Sequence, residues 1–233
     1  MNTPKHIVLF PDGNSRWAKQ NNLSGITGYK KGYENLLNFS EWSKNRGVKV
    51  LTVFGFTTEN WDRGKITTDF LMNLFEKLLK DNLDKYLKTN EWNEIGVRIK
   101  VIGQKEKLPK SIQQLIEKME EATKNNKKLF LNLCISYGGK WDILNAVKNI
   151  IKEGIEPDKI DEKLFSKYLS FTDLPDPDFI IRTGGQIRLS NFSMWQTAYS
   201  ELYFSPKLWP DFSEQDFNEA LEEFAKRPRR VVK

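Results

Sequence analysis

The apolar run His6-Ile7-Val8-Leu9-Phe10 stops abruptly in Pro11-Asp12-Gly13-Asn14 and resumes as a basic segment with helical character, Ser15-Arg16-Trp17-Ala18. A buried strand that hands directly to a helix start is the beginning of an α/β unit. Further apolar runs at 50–56, 97–102, 129–135 and 178–182 have helical patterns between them and read as buried strands of a parallel sheet. No repeat, low-complexity tract or Pro/Ser-rich linker divides the chain, so residues 1–233 are expected to form one domain.

In such a sheet, ligands collect beyond the carboxyl ends of the strands. Polar clusters follow three of the runs: Pro11 to Arg16, Thr57-Thr58-Glu59-Asn60-Trp61-Asp62-Arg63, and Arg182-Thr183-Gly184-Gly185-Gln186-Ile187-Arg188-Leu189-Ser190-Asn191. In the first, Asp12 and Asn14 can cap the helix, Gly13 admits a close backbone approach, and the free N–H groups with Arg16 favour phosphate. Asp-Gly-Asn is also ordinary turn chemistry. The convergence of three clusters favours a phosphate site.

One cysteine, Cys134, sits inside an apolar run and reads as core, which argues against thiol chemistry. The single histidine, His6, opens a strand and leaves no pair for zinc and no partner for a hydrolase triad. The formal net charge of +6 suits either anionic ligands or an ordinary solvated exterior. The first residues carry no signal-type apolar core and no run approaches spanning length, so a cytoplasmic protein touching membrane at most peripherally is expected. From Thr68 to Leu87, apolar residues at three- and four-residue steps, including Leu71, Leu74, Phe75, Leu78, Leu79, Leu83 and Tyr86, form one wide helical face.

Taken together, Asp12-Gly-Asn-x-Arg-Trp-Ala, Phe56-x-Thr-Glu-Asn-Trp-x-Arg63, Tyr137-Gly-Gly-x-Trp141, Arg182-Thr-Gly-Gly-x-x-Arg-Leu-Ser-Asn-Phe192 and Trp195-Gln-x-Ala-Tyr-x-Glu201-Leu-Tyr-Phe resemble the cis-prenyltransferases, from His6 to about Arg230. The resemblance implies an open, mainly parallel sheet of about six strands flanked by helices, with a hydrophobic tunnel for a prenyl tail. It implies a homodimer that uses Mg2+ to join isopentenyl diphosphate to an allylic prenyl diphosphate, with no nucleic-acid partner. By the same resemblance Asp12 is the essential carboxylate, and Gly13, Asn14, Ser15, Arg16 and Arg63 hold the allylic diphosphate. Arg182, Arg188 and Ser190 would hold isopentenyl diphosphate, and Asp12 and Glu201 the metal. Trp17, Phe56, Thr58 and Trp61 would wall the reacting carbons, with Asn60 a partner for the proton lost from isopentenyl C2.

Several residues depart from the family pattern: Gly25 stands for arginine, Tyr29 for histidine, Ser136 for asparagine, Lys140 for arginine and Gln186 for glutamate, and Val232 stands where the tail has glycine. Three readings follow. The chain makes a long (Z)-polyprenyl diphosphate such as an undecaprenyl carrier precursor, or makes a short or branched lavandulyl-type product, or is a weakly catalytic partner subunit.

Overall fold

All five residues of β1 (His6–Phe10) are buried, as a strand covered on both faces requires, and alternate side chains enter different cores. Ile7 and Leu9 join a large cluster with Leu51, Val53 and Phe39, while Val8 and Phe10 join a smaller one with Phe54, Cys134 and Phe192. The computed structural model describes residues 2–89, 95–172 and 174–228.

β1 lies inside a six-stranded sheet with β2 (Val50–Thr57), β3 (Val97–Ile102), β4 (Leu129–Tyr137), β5 (Phe179–Arg182) and β6 (Glu201–Phe204), in the order β3-β4-β2-β1-β5-β6. All five pairings are parallel. The five apolar runs are thus strands, with β2 and β4 extending one and two residues further and β5 beginning one residue later. β6 escapes the apolar-run reading because it is a four-residue edge strand, none of whose residues is buried. The helices are α1 (Asn14–Gln20), α2 (Gly25–Asn45), α3 (Lys65–Thr89), α4 (Lys110–Thr123), α5 (Gly139–Lys152), α6 (Glu162–Lys167) and α7 (Glu214–Lys226). None is long and apolar enough to cross a membrane.

Helix α3 divides the wide apolar face read from the sequence. Leu71, Leu74, Phe75, Leu78 and Leu79 line a cavity, whereas Leu83 and Tyr86 are buried in the main core, and the Leu87 side chain lies outside the described residues. His6 is buried with both ring nitrogens engaged, Nδ1 with the Pro175 carbonyl at 2.6 Å and Nε2 with Thr52 Oγ1 at 2.8 Å. That burial lowers its pKa to about 4.

Candidate active site

The site forms where β1, β2 and β5 end side by side. Register sets Phe10 beside Arg182, so the loops that follow these two strands start from the same edge. Gly13, with φ of 118°, precedes α1; a Cβ there would meet the Leu208 backbone at 3.0 Å. Gly13 is the N-cap without any side-chain cap bond, so Asp12 and Asn14 do not cap α1 as the sequence suggested. Asp12 is held otherwise: its Oδ2 accepts from Arg182 Nε at 3.0 Å and from Nη2 at 2.7 Å. Its main-chain oxygen accepts from Thr183 Oγ1 at 2.9 Å and from the Trp209 amide at 2.9 Å.

Arg182 is a buried cation with four of its five N–H donors engaged, which leaves one Nη2 hydrogen. Its Nη1 donates to Ser190 Oγ at 2.9 Å and to the Arg188 carbonyl, and its guanidinium lies 5.0 Å from the centre of the Phe10 ring. It therefore ties the β1 loop to the loop that carries Arg188 and Ser190. Gly184 permits the crossing: at φ of 82°, a Cβ would sit 2.9 Å from the Asp12 carbonyl oxygen and 2.5 Å from Arg16 Nη2.

A second tie runs across the mouth. Asn191 donates through Nδ2 to Glu59 Oε1 at 2.6 Å, while its Oδ1 accepts from the Lys140 amide at 2.9 Å and its carbonyl from the Gly139 amide. Hydrogen bonds from Asn191, Thr57 and Thr58 outweigh partial burial and lower the Glu59 pKa. Ser190, Asn191 and Ser193 all take left-handed backbone, with φ of 48°, 62° and 39°. Such conformations persist only where surrounding bonds hold them. Neither Glu59 nor Asn191 had been given a role on sequence grounds. The signal was there in an asparagine, which after glycine best tolerates left-handed backbone, inside Arg188-Leu-Ser-Asn-Phe192.

These residues surround a cavity of about 1030 Å³. Asp12, Gly13, Asn14, Ser15, Arg16, Asn60, Arg63, Arg182, Arg188 and Ser190 form its polar part, with Phe56, Leu71, Phe75, Leu79, Ile99, Met119 and Leu131 along its apolar part. Arg16, Arg63 and Arg188 are exposed, and none has an ion pair among the described residues. Asn60 lines the cavity, and its Oδ1 accepts from the Thr57 amide at 3.1 Å.

Four candidates are not brought to this cavity. Trp17 turns to Asp211, donating from Nε1 to Oδ1 at 2.7 Å. Thr58 gives its hydroxyl to Glu59 at 3.0 Å. Trp61 stands behind Phe56, ring centres 5.0 Å apart, and donates to Ser136 Oγ at 2.9 Å. Glu201 opens β6 beside Phe179, three residues back from the edge that Arg182 marks, or about 10 Å along the strand. It is paired with Arg227 at 2.8 Å, so within one chain it does not join Asp12 as a ligand pair.

Of the departures, Tyr29 and Gln186 line the cavity, and the Tyr29 hydroxyl lies 3.3 Å from Ser15 Oγ. Ser136 supports Trp61 from a left-handed position with φ of 54°. Gly25 is exposed at the start of α2 with open space around it. Val232 lies outside the described residues.

The family model described as "Putative undecaprenyl diphosphate synthase" matches residues 10–232. The isoprenyl transferase of Thermotoga maritima is 44% identical over 232 residues, covering 99% of this chain and 97% of that protein. The crystal structure of lavandulyl diphosphate synthase from Lavandula x intermedia, in complex with dimethylallyl diphosphate, superposes with a TM-score of 0.90 at 33% identity over 99% of both chains. That of a "probable undecaprenyl diphosphate synthase" from Campylobacter jejuni gives 0.82 at 31% identity over 100% of both. With its parallel sheet, its motifs in order and relatives matched end to end, the chain belongs to the cis-prenyltransferase family and is a prenyl diphosphate synthase.

Proposed function

We propose that the protein condenses isopentenyl diphosphate with an allylic prenyl diphosphate, releasing pyrophosphate and leaving a (Z)-prenyl diphosphate extended by five carbons. The observation that carries this reading is the set of unpaired guanidinium groups, Arg16, Arg63 and Arg188, at the polar end of a cavity whose other end is hydrocarbon. Such a site suits a ligand with an anionic head and an apolar tail. Gly13, Asn14, Ser15, Arg16 and Arg63 bind the allylic diphosphate, and Arg182, Arg188 and Ser190 bind isopentenyl diphosphate. The Glu59–Asn191 bond fixes the two loops relative to one another, which orients the two substrates. Asn60, which lines the cavity and whose Oδ1 keeps a lone pair beyond the Thr57 bond, is the partner for the proton lost from isopentenyl C2.

Mg2+ fits Asp12: Arg182 occupies only Oδ2, and Oδ1 has no hydrogen bond among the described residues. Mg2+ is characteristically held by one or two carboxylates together with phosphate oxygens and water. When bound, it supplies charge neutralisation to the departing pyrophosphate. A homodimer belongs to the same reading. It is supported by an apolar stripe on α5, Leu144, Val147 and Ile151, and by Met194, Trp195, Tyr199 and Leu202, which are exposed as well. A cytoplasmic setting with peripheral membrane contact completes it.

Pure protein incubated with isopentenyl diphosphate, Mg2+ and starters of increasing length is expected to give a ladder of products in five-carbon steps by mass spectrometry. No product from any starter would overturn the reading in favour of a partner subunit. The likeness to lavandulyl diphosphate synthase and the altered Tyr29 and Gln186 favour a second reading, a branched product from dimethylallyl diphosphate alone. Coupling two five-carbon units leaves most of the cavity unused, so elongation is the better fit.

A further inference from the structure

Glu59 brings a carboxylate to a cavity lined by arginines, yet it has no ion pair among the described residues. A negative charge beside pockets for diphosphates opposes what they bind unless it is otherwise committed. Both of its oxygens are engaged. Oε2 accepts from Thr58 Oγ1 at 3.0 Å, and Oε1 accepts from Asn191 Nδ2 at 2.6 Å, a charge-assisted bond between residues 132 apart in sequence.

Asn191 is fixed from its other side. Its Oδ1 accepts from the Lys140 amide and its carbonyl from the Gly139 amide, so it takes two of the amides that the first turn of α5 leaves without helical partners. Gly138, at the N-cap of α5, shows how closely the segments converge: a Cβ there would lie 2.5 Å from Thr58 Oγ1 and 2.9 Å from Asn191 Nδ2. Asn191 follows Ser190 directly, and both take left-handed backbone, which persists only where bonds hold it. Arg182 grips the same loop through Ser190 Oγ and the Arg188 carbonyl. The loop that carries Arg188 and Ser190 is therefore anchored by Arg182, by the start of α5 and by Glu59, the last reaching it from the loop that carries Arg63.

We propose that Glu59 is a positioning residue for isopentenyl diphosphate: it stands in the loop of the allylic pocket, but through Asn191 it sets where Arg188 and Ser190 present their donors. The inference rests on the two-pocket reading above. The test measures, by calorimetry in Mg2+, the Kd of isopentenyl diphosphate and of an unreactive allylic thiodiphosphate. It compares wild type, Glu59→Ala, Glu59→Gln, Asn191→Asp and the double variant Glu59→Gln with Asn191→Asp, each checked for native melting. Glu59→Ala removes the bond and Asn191→Asp sets two carboxylates against each other. Each should weaken isopentenyl diphosphate about tenfold, the worth of a charge-assisted hydrogen bond, with a change below about threefold for the allylic analogue. Glu59→Gln keeps an oxygen acceptor and should stay within about threefold of wild type. In the double variant the bond is rebuilt with its polarity reversed, while the Lys140 amide keeps an acceptor, so affinity should return to within about threefold. A merely structural role would not follow the polarity of one bond. Equal weakening of both ligands, no weakening in the single variants, or no recovery in the double variant would overturn the role of Glu59. Should Asn191→Asp melt early, the contrast between Glu59→Ala and Glu59→Gln decides it, because Glu59 is exposed. Wild-type protein that binds both ligands yet yields no product from any starter would instead overturn the condensation reading.

Discussion

Replacing Asp12 by alanine takes the carboxylate from a guanidinium that is only 5% exposed. Two effects are expected together. Turnover falls roughly a hundredfold or more, the usual loss for a preorganised charge at a reacting centre. Stability falls by about 1–3 kcal/mol, the worth of hydrogen bonds to a charged partner, rather than being spared as a surface-loop position would suggest. Asp12→Asn separates the two: urea unfolding should be near wild type while turnover stays low, and near-normal turnover in either variant would remove Asp12 from the site. Arg188→Ala has a different signature, because Arg188 uses only its carbonyl structurally. Its KM for isopentenyl diphosphate should rise at least tenfold, the worth of a charge-assisted phosphate contact, with a smaller change for the allylic substrate. Equal changes in both would dissolve the two-pocket division. The contrast between these arginines was not legible in sequence, where both read as phosphate ligands: burial distinguishes Arg182, and burial is a property of the assembled loops.

At the scale of elements, β1, β2 and β5 were legible because their burial on both faces leaves an unbroken apolar signature. β6 was not, because an edge strand of four residues carries no such signature. Periodicity marks α3 as an apolar face without saying what covers it, so which of its residues are core and which line the cavity came only with the fold. His6 gives the sheet a pH dependence. Its pKa is about 4 when folded against an ordinary 6.5, so the unfolded chain takes up the proton first. Stability is fully present above pH 6.5 and declines as pH falls toward 4, by on the order of 3 kcal/mol in all. Glu59, whose folded pKa is lowered, adds its own loss only below its ordinary 4.5, while Asp142 and Asp176, whose carboxyls burial raises, act with the opposite sign, so His6 is read from the difference between wild type and variant. Between pH 6.5 and 4.5, urea midpoints should fall more steeply in wild type than in His6→Gln. An equal slope in the variant would assign the effect elsewhere.

For the whole molecule, the proposed homodimer would bury the apolar stripe of α5. Val147→Glu with Ile151→Glu places charge where a partner would bury hydrocarbon, so sedimentation velocity should show a dimer for wild type and a monomer for the variant; a dimer in both would move the interface off this helix, and a monomer in both would overturn the homodimer. The sheet order has another consequence, one of timing. Asp12 and Arg182 are 170 residues apart, yet β5 is the immediate neighbour of β1. During ribosomal synthesis at roughly 5–20 residues per second, the carboxylate emerges on the order of ten to thirty seconds before its arginine. Throughout that interval β1 can pair with β2 on one side only, and its other edge is an unpaired row of backbone groups along a wholly apolar strand. A chain released before β5 is made carries the residues of the proposed allylic pocket without those of the isopentenyl diphosphate pocket, and it exposes an unpaired, buried-type edge to the cell's chaperones and proteases.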